Sequence, residues 1–245
     1  MSVLDEIAAE VTADPDSIGL ILHGSRAAGV DGLDSDYDLV WVVTDASYAA
    51  HRDRLREIRP GPPKVDISFA SPEGLRLRSE STDGYTPMYV TAEIVADTDG
   101  QVAALVEAIV ANAGARAWDD LDELYDGYLN CFFRSLKAWR RGDELGGRMQ
   151  AAHSCLCLVR LLFAAERRLA PFHDQLAEPL RELEQLQGWE EGFLAGAFVR
   201  VLATGDPTLQ QELELRVEGL FDSRGIAHQW GPEDGLDAVK EHRFS

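Results

Sequence analysis

The residues that could do chemistry crowd into the stretch 23–66. His23-Gly24-Ser25 is followed by ten residues, 26–35, then by Asp36-Tyr37-Asp38, and Asp66 stands alone in Val65-Asp66-Ile67. Gly24 has no Cβ, so a backbone there can approach a phosphate closely. Ser25 adds a hydroxyl and a backbone N–H at the start of a helical turn, where unpaired donors and the helix dipole favour anions. Arg26 beside them is assigned to the same phosphate cradle. Asp36 and Asp38, two apart on a strand, project from one face. Neighbouring carboxylates repel one another unless a cation lies between them, and hard oxygen ligands that leave positions for phosphate oxygens suit Mg²⁺.

With Asp66 on an adjacent strand, three carboxylates would converge. Such a set serves a two-metal in-line displacement, with metals about 3.5–4 Å apart. The reaction expected is attack of a substrate hydroxyl on the α-phosphorus of a nucleoside triphosphate, ATP in the first instance. Asp36, Asp38 and Asp66 are the expected catalytic and metal-binding residues, and Asp66 either bridges to a metal or takes the hydroxyl proton. A Gly-Ser turn or an Asp-x-Asp pair alone means little. Here the two acids interrupt a run of strong strand formers (Val40, Trp41, Val42, Val43), where acids are depleted.

These groups need a scaffold, and hydrophobic periodicity supplies one. Residues 1–13 read as an amphipathic helix stopped by Asp14-Pro15-Asp16. Strands are expected at 17–23, 36–43, 64–70 and 88–96, and helices at 47–58 and 101–113. Ser71-Pro72-Glu73 has the form of a helix start, with an N-cap and proline at the first helical position. From Trp118 onward no convincing strand occurs. Trp118, Leu121, Tyr125, Tyr128, Phe132, Leu136 and Trp139 recur at intervals of three and four, the mark of a long helix with one buried stripe. Further helices are expected at 148–169, 173–187, 190–202 and 208–221, making a bundle. Phe132, Phe133, Trp139, Met149, Leu156 and Phe163 are read as its core. The fold class expected is α+β: a mixed-sheet domain over 1–115, an all-α bundle over 116–224 that binds substrate, and a tail over 225–245.

Composition narrows the partners. The formal charge is −20, from 43 acidic and 23 basic residues, which repels phosphate backbones and makes a nucleic-acid partner a poor expectation. A cationic small molecule would be attracted. Asp122, Glu123 and Asp126, within the acidic stretch 119–126, are the candidate substrate residues, although acids also favour a helix start through the macrodipole. No run approaches the ~20 apolar residues of a membrane span. Residues 1–10 carry Asp5, Glu6 and Glu10 and no basic region, so they do not read as a secretory signal. Cys131, Cys155 and Cys157 lie in helix-like stretches, and an odd count does not suggest a disulfide scaffold; Cys155-x-Cys157 lacks a second pair or a nearby His set, which argues against zinc, and a reducing cytoplasm is expected. Arg148 and His153 form an Arg-x4-His pair that resembles the ribonuclease motif of HEPN domains, but His153 sits among Ala151, Ala152 and Cys155 and reads as a structural histidine.

At His23-Gly24-Ser25, Ser35-Asp36-Tyr37-Asp38-Leu39 and Val65-Asp66 the sequence resembles the DNA polymerase β-like nucleotidyltransferase superfamily. Ile94-Val95-Ala96-Asp97-Thr98-Asp99-Gly100 resembles the strand and turn that close this domain in small bacterial members. The order of a nucleotidyltransferase core followed by a helical bundle is similar to the antibiotic-modifying group, such as the kanamycin, streptomycin and lincosamide enzymes. That resemblance implies a Mg²⁺-dependent adenylyltransferase acting on a small hydroxylated acceptor, an aminoglycoside or lincosamide, with the acceptor between the two domains. A toxin-type or regulatory enzyme acting on tRNA or protein is the alternative. A non-catalytic nucleotide sensor, or an RNA-cleaving bundle carrying one, is a third; the intact Asp36, Asp38 and Asp66 argue against a dead sensor.

Overall fold

The computed structural model describes residues 2–50, 56–81, 86–227, 230 and 234–244. Contacts divide the chain into two compact units, Met1–Gly114 with Pro171–Gln175, and Ala115–Ala170 with Leu176–Ser245. The fold class is α+β: a mixed five-stranded sheet with helices in the first unit, and helices in the second.

The first unit opens with α1 (Val3–Ala13), started by a reciprocal capping box between Ser2 and Asp5. The strands are β1 (Ser17–His23), β2 (Tyr37–Val43), β3 (Arg56–Arg59), β4 (Val65–Ala70) and β5 (Glu93–Asp97), in the spatial order β3-β4-β2-β1-β5. β2 and β4 are parallel and the other pairs antiparallel. Alternation sorts their side chains into two cores. Leu20, Leu22, Leu39, Trp41, Val43, Val65 and Ile67 pack with Ile7 and Val11 of α1. Ile21, Val40 and Val42 pack on the other face, with Leu75 of α4 (Pro72–Ser79), with Tyr89 of a 3-10 turn at Thr86–Tyr89, and with Val102, Val106 and Ile109 of α5 (Gln101–Asp119). Fully burying an aliphatic side chain of this kind contributes about 1.5–3 kcal/mol. Trp41 and Phe69, partners in register, stack at 5.9 Å, and the Trp41 indole N–H donates to Ser17 Oγ at 2.6 Å. Asp97 at the end of β5 accepts from the amides of Val102 (3.3 Å) and Ala103 (2.8 Å), which satisfies donors at the start of α5.

Several expectations need correction here. Asp36 lies one residue before β2 rather than in it. The helix expected at 47–58 is α3 (Asp45–Ala50), and Arg56–Arg59 is strand, because it pairs antiparallel with β4 and covers an edge that would otherwise stay open; the 51–55 portion lies outside the described residues. The strand expected at 88–96 shortens to Glu93–Asp97, since Met88 and Tyr89 belong to the 3-10 turn and its core contacts. The helix expected at 101–113 continues to Asp119, so Trp118 ends α5 and does not open the long helix.

In the second unit α6 (Leu121–Arg140) and α7 (Glu144–Ala165) pack extensively, followed by α8 (Ala177–Gln187), α9 (Phe193–Thr204), α10 (Pro207–Arg224) and α11 (Leu236–Lys240). Tyr125, Tyr128, Phe132, Leu136 and Phe163 are buried in one core, as the stripe demands. α7 starts a turn earlier than expected, capped by Asp143, whose carboxylate accepts from the Gly146 amide at 2.9 Å. Met149 and Leu156 are not core: both are exposed on α7. The segment 225–245, expected as a tail, contains α11, whose Leu236 and Val239 are buried against the core. Two apolar residues three apart are too short a period to read, and the Gln211 amide nitrogen, with two N–H groups, is shared among the carbonyls of Val239, Lys240 and His242. No helix among the described residues is long and apolar enough to cross a membrane.

Candidate active site

β1 ends at His23 and the chain turns at Gly24, which lies in the left-handed region with φ +74°. A Cβ added there would lie 2.5 Å from Oδ2 of Asp38. Glycine is therefore required twice, by the turn and by the close approach of the neighbouring carboxylate. The chain then makes a single helical turn, α2 (Gly24–Ala27), with Ser25 at its start.

Arg26 is placed differently from its expected part in the phosphate cradle. Its guanidinium faces the loop leading into β2: Nε donates to the Asp36 carbonyl at 3.0 Å and Nη2 to the Ser35 carbonyl at 2.6 Å. Nη1 meets Asp31 at 3.2 Å, and the group lies 4.2 Å from the centre of the Tyr37 ring. With each nitrogen engaged, Arg26 braces the loop that delivers Asp36 and Asp38.

Three strands run side by side at the site. His23 is the register partner of Asp38, and Asp38 is the register partner of Asp66. Direct partners on neighbouring strands point to the same face. By alternation that is the face of Ile21, Val40 and Val42, which α4 and α5 cover further along. A cleft of about 490 Å³ opens over the row, lined by His23, Asp38, Asp66, Ser68, Tyr48 and Arg78 among others.

Charge in this row is balanced unevenly. The Arg56 guanidinium grips Asp66 through two N–H groups, Nε at 2.8 Å, and holds that carboxyl below its usual range. Lys64 Nζ sits 2.6 Å from Asp36, which it also holds low, and 3.9 Å from Asp66. Asp38 has no ion-pair partner among the described residues. Desolvation pushes its pKa up, and the charges of Asp36 and Asp66 push it further. Burial pulls His23 down to about 4 against the attraction of Asp66, so it is neutral near pH 7.

This arrangement fits a hard divalent cation. Its donors are carboxylate oxygens, one of them has no ion-pair partner among the described residues, and two surface cations already lean on the others. With Asp36 turned to Lys64 and Asp66 to Arg56, the three carboxylates do not gather tightly. Among the described residues, the set of ligating atoms lying within 4.8 Å of one another is elsewhere, at Cys131, His153 and Cys157.

Arg56 and Lys64 are charge partners of the row that were not among the residues expected from the sequence. Lys64 was legible, because it precedes Asp66 by two and an extended chain sends both to one face. Arg56 was not, since its reach to Asp66 depends on the β3–β4 register, in which Ile58 opposes Asp66. The acidic candidates Asp122, Glu123 and Asp126 lie in the second unit, exposed on the first turns of α6. Asp126 accepts from the Trp230 indole N–H at 2.9 Å. Arg148 and His153 do not form one site: Arg148 pairs with Glu144 and donates to the Ala203 carbonyl at 2.8 Å, whereas His153 meets the two cysteines.

No protein-family model and no curated protein matches the chain. Among solved structures it is similar to a nucleotidyltransferase-like protein from Exiguobacterium sibiricum 255-15, at 16% identity and a TM-score of 0.40, over 90% of this chain and 73% of that one. It is also similar to an aminoglycoside 6-adenyltransferase from Bacillus subtilis, at 11% identity and a TM-score of 0.38, over 97% and 95% of the two chains. Similarity at that level says nothing about chemistry, which rests on the residues above.

Proposed function

We propose that the sheet unit transfers a nucleoside monophosphate, AMP from ATP, to a hydroxyl of a small molecule and releases pyrophosphate. The observation that carries this reading is the row His23–Asp38–Asp66 on three adjacent strands, with Gly24 pressed against Asp38. In the reaction a bond forms between the acceptor oxygen and the α-phosphorus, and the bond from that phosphorus to the bridging oxygen of pyrophosphate breaks. The acceptor's proton passes to a carboxylate.

Asp36, Asp38 and Asp66 are the residues that would hold Mg²⁺. When bound, Mg²⁺ neutralises the triphosphate and lowers the pKa of the attacking hydroxyl. The protein's own groups do the rest. Gly24 lets the backbone of the first helical turn come close to phosphate oxygens, and Ser25 offers its hydroxyl. Arg26 keeps the Asp36–Asp38 segment in place. Lys64 and Arg56, exposed at the surface, neutralise Asp36 and Asp66 in the free protein and could turn to an incoming triphosphate. Neutral His23 can donate one hydrogen bond without adding charge. Asp66, beside Asp38 on the next strand, either joins the metal set or receives the proton, and Arg56, which lowers its basicity, would have to release it for that second part.

For the acceptor we propose a hydroxylated antibiotic, with a polycationic aminoglycoside favoured over an uncharged or weakly charged lincosamide by the net charge of −20. Incubating the protein with ATP, Mg²⁺ and a panel of both classes, then weighing the acceptors by mass spectrometry, tests it. Gain of one AMP by an acceptor, with stoichiometric pyrophosphate, is expected. Retention of all acceptors at their original masses, with no pyrophosphate above a blank, would overturn it.

A further inference from the structure

Among the described residues outside the sheet site, one cluster of side chains has the chemistry of a ligand set. His153 and Cys157 are four apart on α7, hence one above the other on a single face. Cys131 comes from α6, the helix against which α7 packs most extensively. One ligating atom from each of the three lies within 4.8 Å of the other two. The cysteines carry no disulfide. Sequence spacing hides this set, because Cys131 and His153 are 22 positions apart and meet only when the two helices pair.

The surroundings are equally informative. Cys131 and Cys157 are half-buried and His153 is exposed, so the set lies at the rim of the helical core, open to solvent on the imidazole side. Arg134, one turn from Cys131, favours the thiolate there. Burial and the neighbouring Cys157 act the other way and push the Cys131 thiol up. Two sulfurs and an imidazole are poor ligands for Mg²⁺ and good ones for a borderline-soft ion. Three protein donors also leave the fourth tetrahedral position free, as in sites where a water or a substrate atom completes the zinc.

We propose that Cys131, His153 and Cys157 form a zinc site on the helical unit, separate from the carboxylate site of the sheet unit. Binding releases the two thiol protons, and the two thiolates balance the charge of Zn²⁺ with neutral His153 as third ligand, so affinity rises with pH. The site clamps α6 to α7 at the point where Cys131 and Cys157 meet, and its open position faces solvent.

The test uses the full chain, purified without metal and kept reduced, and titrated with Co²⁺ as a spectroscopic probe and then with Zn²⁺ in competition with a chromophoric chelator. One Co²⁺ per chain is expected, with thiolate-to-cobalt charge transfer and the intense visible bands of a tetrahedral site, both removed by one equivalent of Zn²⁺. Cys131→Ser and Cys157→Ser should each abolish the charge-transfer band or halve it. His153→Ala, an exposed change that does not threaten the core, should weaken Zn²⁺ binding at least tenfold. Zn²⁺ should raise the Tm of the parent protein and leave that of Cys131→Ser unchanged. Asp38→Asn should keep the cobalt spectrum, which separates this site from the sheet unit. The proposal is overturned if the reduced protein gives only the weak bands of octahedral, oxygen-ligated cobalt, or if His153→Ala, folded by circular dichroism, binds Zn²⁺ as tightly as the parent.

Discussion

Carboxylates in the two units meet opposite fates. Asp36 and Asp66 sit at the rim of the sheet, each held ionised by a cation, Lys64 or Arg56. Glu214 on α10 is fully buried; it accepts from the Tyr125 hydroxyl at 3.1 Å, and desolvation, aided by the charge of Glu218, raises it to about 8. The residue chemistry is nearly the same, and the surroundings decide its use. At the rim a carboxylate keeps its charge and can exchange one cation for another, which a metal or phosphate site requires. In the helical core it is pushed toward its neutral form and serves as a hydrogen-bonding partner for a tyrosine. A perturbed pKa therefore marks function only where the group also faces open space. Asp38 is the case between the two, raised by desolvation and yet lining a cleft.

The largest effect is expected at Asp38. Asp38→Asn keeps the shape and removes a charge that has no ion-pair partner among the described residues, so transfer should fall by about 10³-fold or more, equivalent to roughly 4 kcal/mol of barrier. Thermal stability should hold or rise slightly, because the substitution also removes repulsion from Asp36 and Asp66. Near-normal turnover in this variant would remove Asp38 from the metal site and leave the row without a chemical role.

The next largest effect should appear in the other unit, and in stability rather than activity. Glu214 has a folded pKa near 8 against an ordinary 4.5, so folding favours its protonated form. Its contribution is then fully present below about pH 4.5, declines as pH rises, and is lost above about 8. Integrated, that difference sets an upper limit of about 5 kcal/mol. Glu214→Gln cannot ionise and should not show the decline. Unfolding curves at pH 5 and pH 8.5 should find the variant about equal to the parent at the lower pH and several degrees more stable at the higher one. Parallel pH profiles for the two proteins would mean that Glu214 is solvated or paired in a way that keeps its charge.

The smallest effect concerns the exposed acids of α6. Replacing Asp122, Glu123 and Asp126 by their amides should raise KM for a cationic acceptor severalfold and leave KM for ATP nearly unchanged. The difference should shrink as salt rises, because attraction between exposed charges is screened over about 8–10 Å. An unchanged KM for the cationic acceptor would reduce these residues to a favourable helix start, and Asp126 to a partner of Trp230.

What the residue order determined by itself was local. Gly24 after an apolar strand was legible because a turn needing positive φ is a property of a few adjacent residues, and the strand Tyr37–Val43 was legible from its own run of strand formers, although it begins one residue after Asp36. The stripe Leu121, Tyr125, Tyr128, Phe132 and Leu136 was legible for the same reason at the helical period. Tertiary structure decided everything that depends on which elements become neighbours. It made Arg56–Arg59 an edge strand, sent Arg26 to brace a loop, and docked Leu236 and Val239 onto the helical core. It also buried Glu214 and exposed Met149 and Leu156 on a helix whose apolar residues do not follow a single stripe. The clearest instance is the set Cys131, His153 and Cys157. Four-residue spacing places two of them on one face of α7, but only the packing of α6 against α7 brings the third.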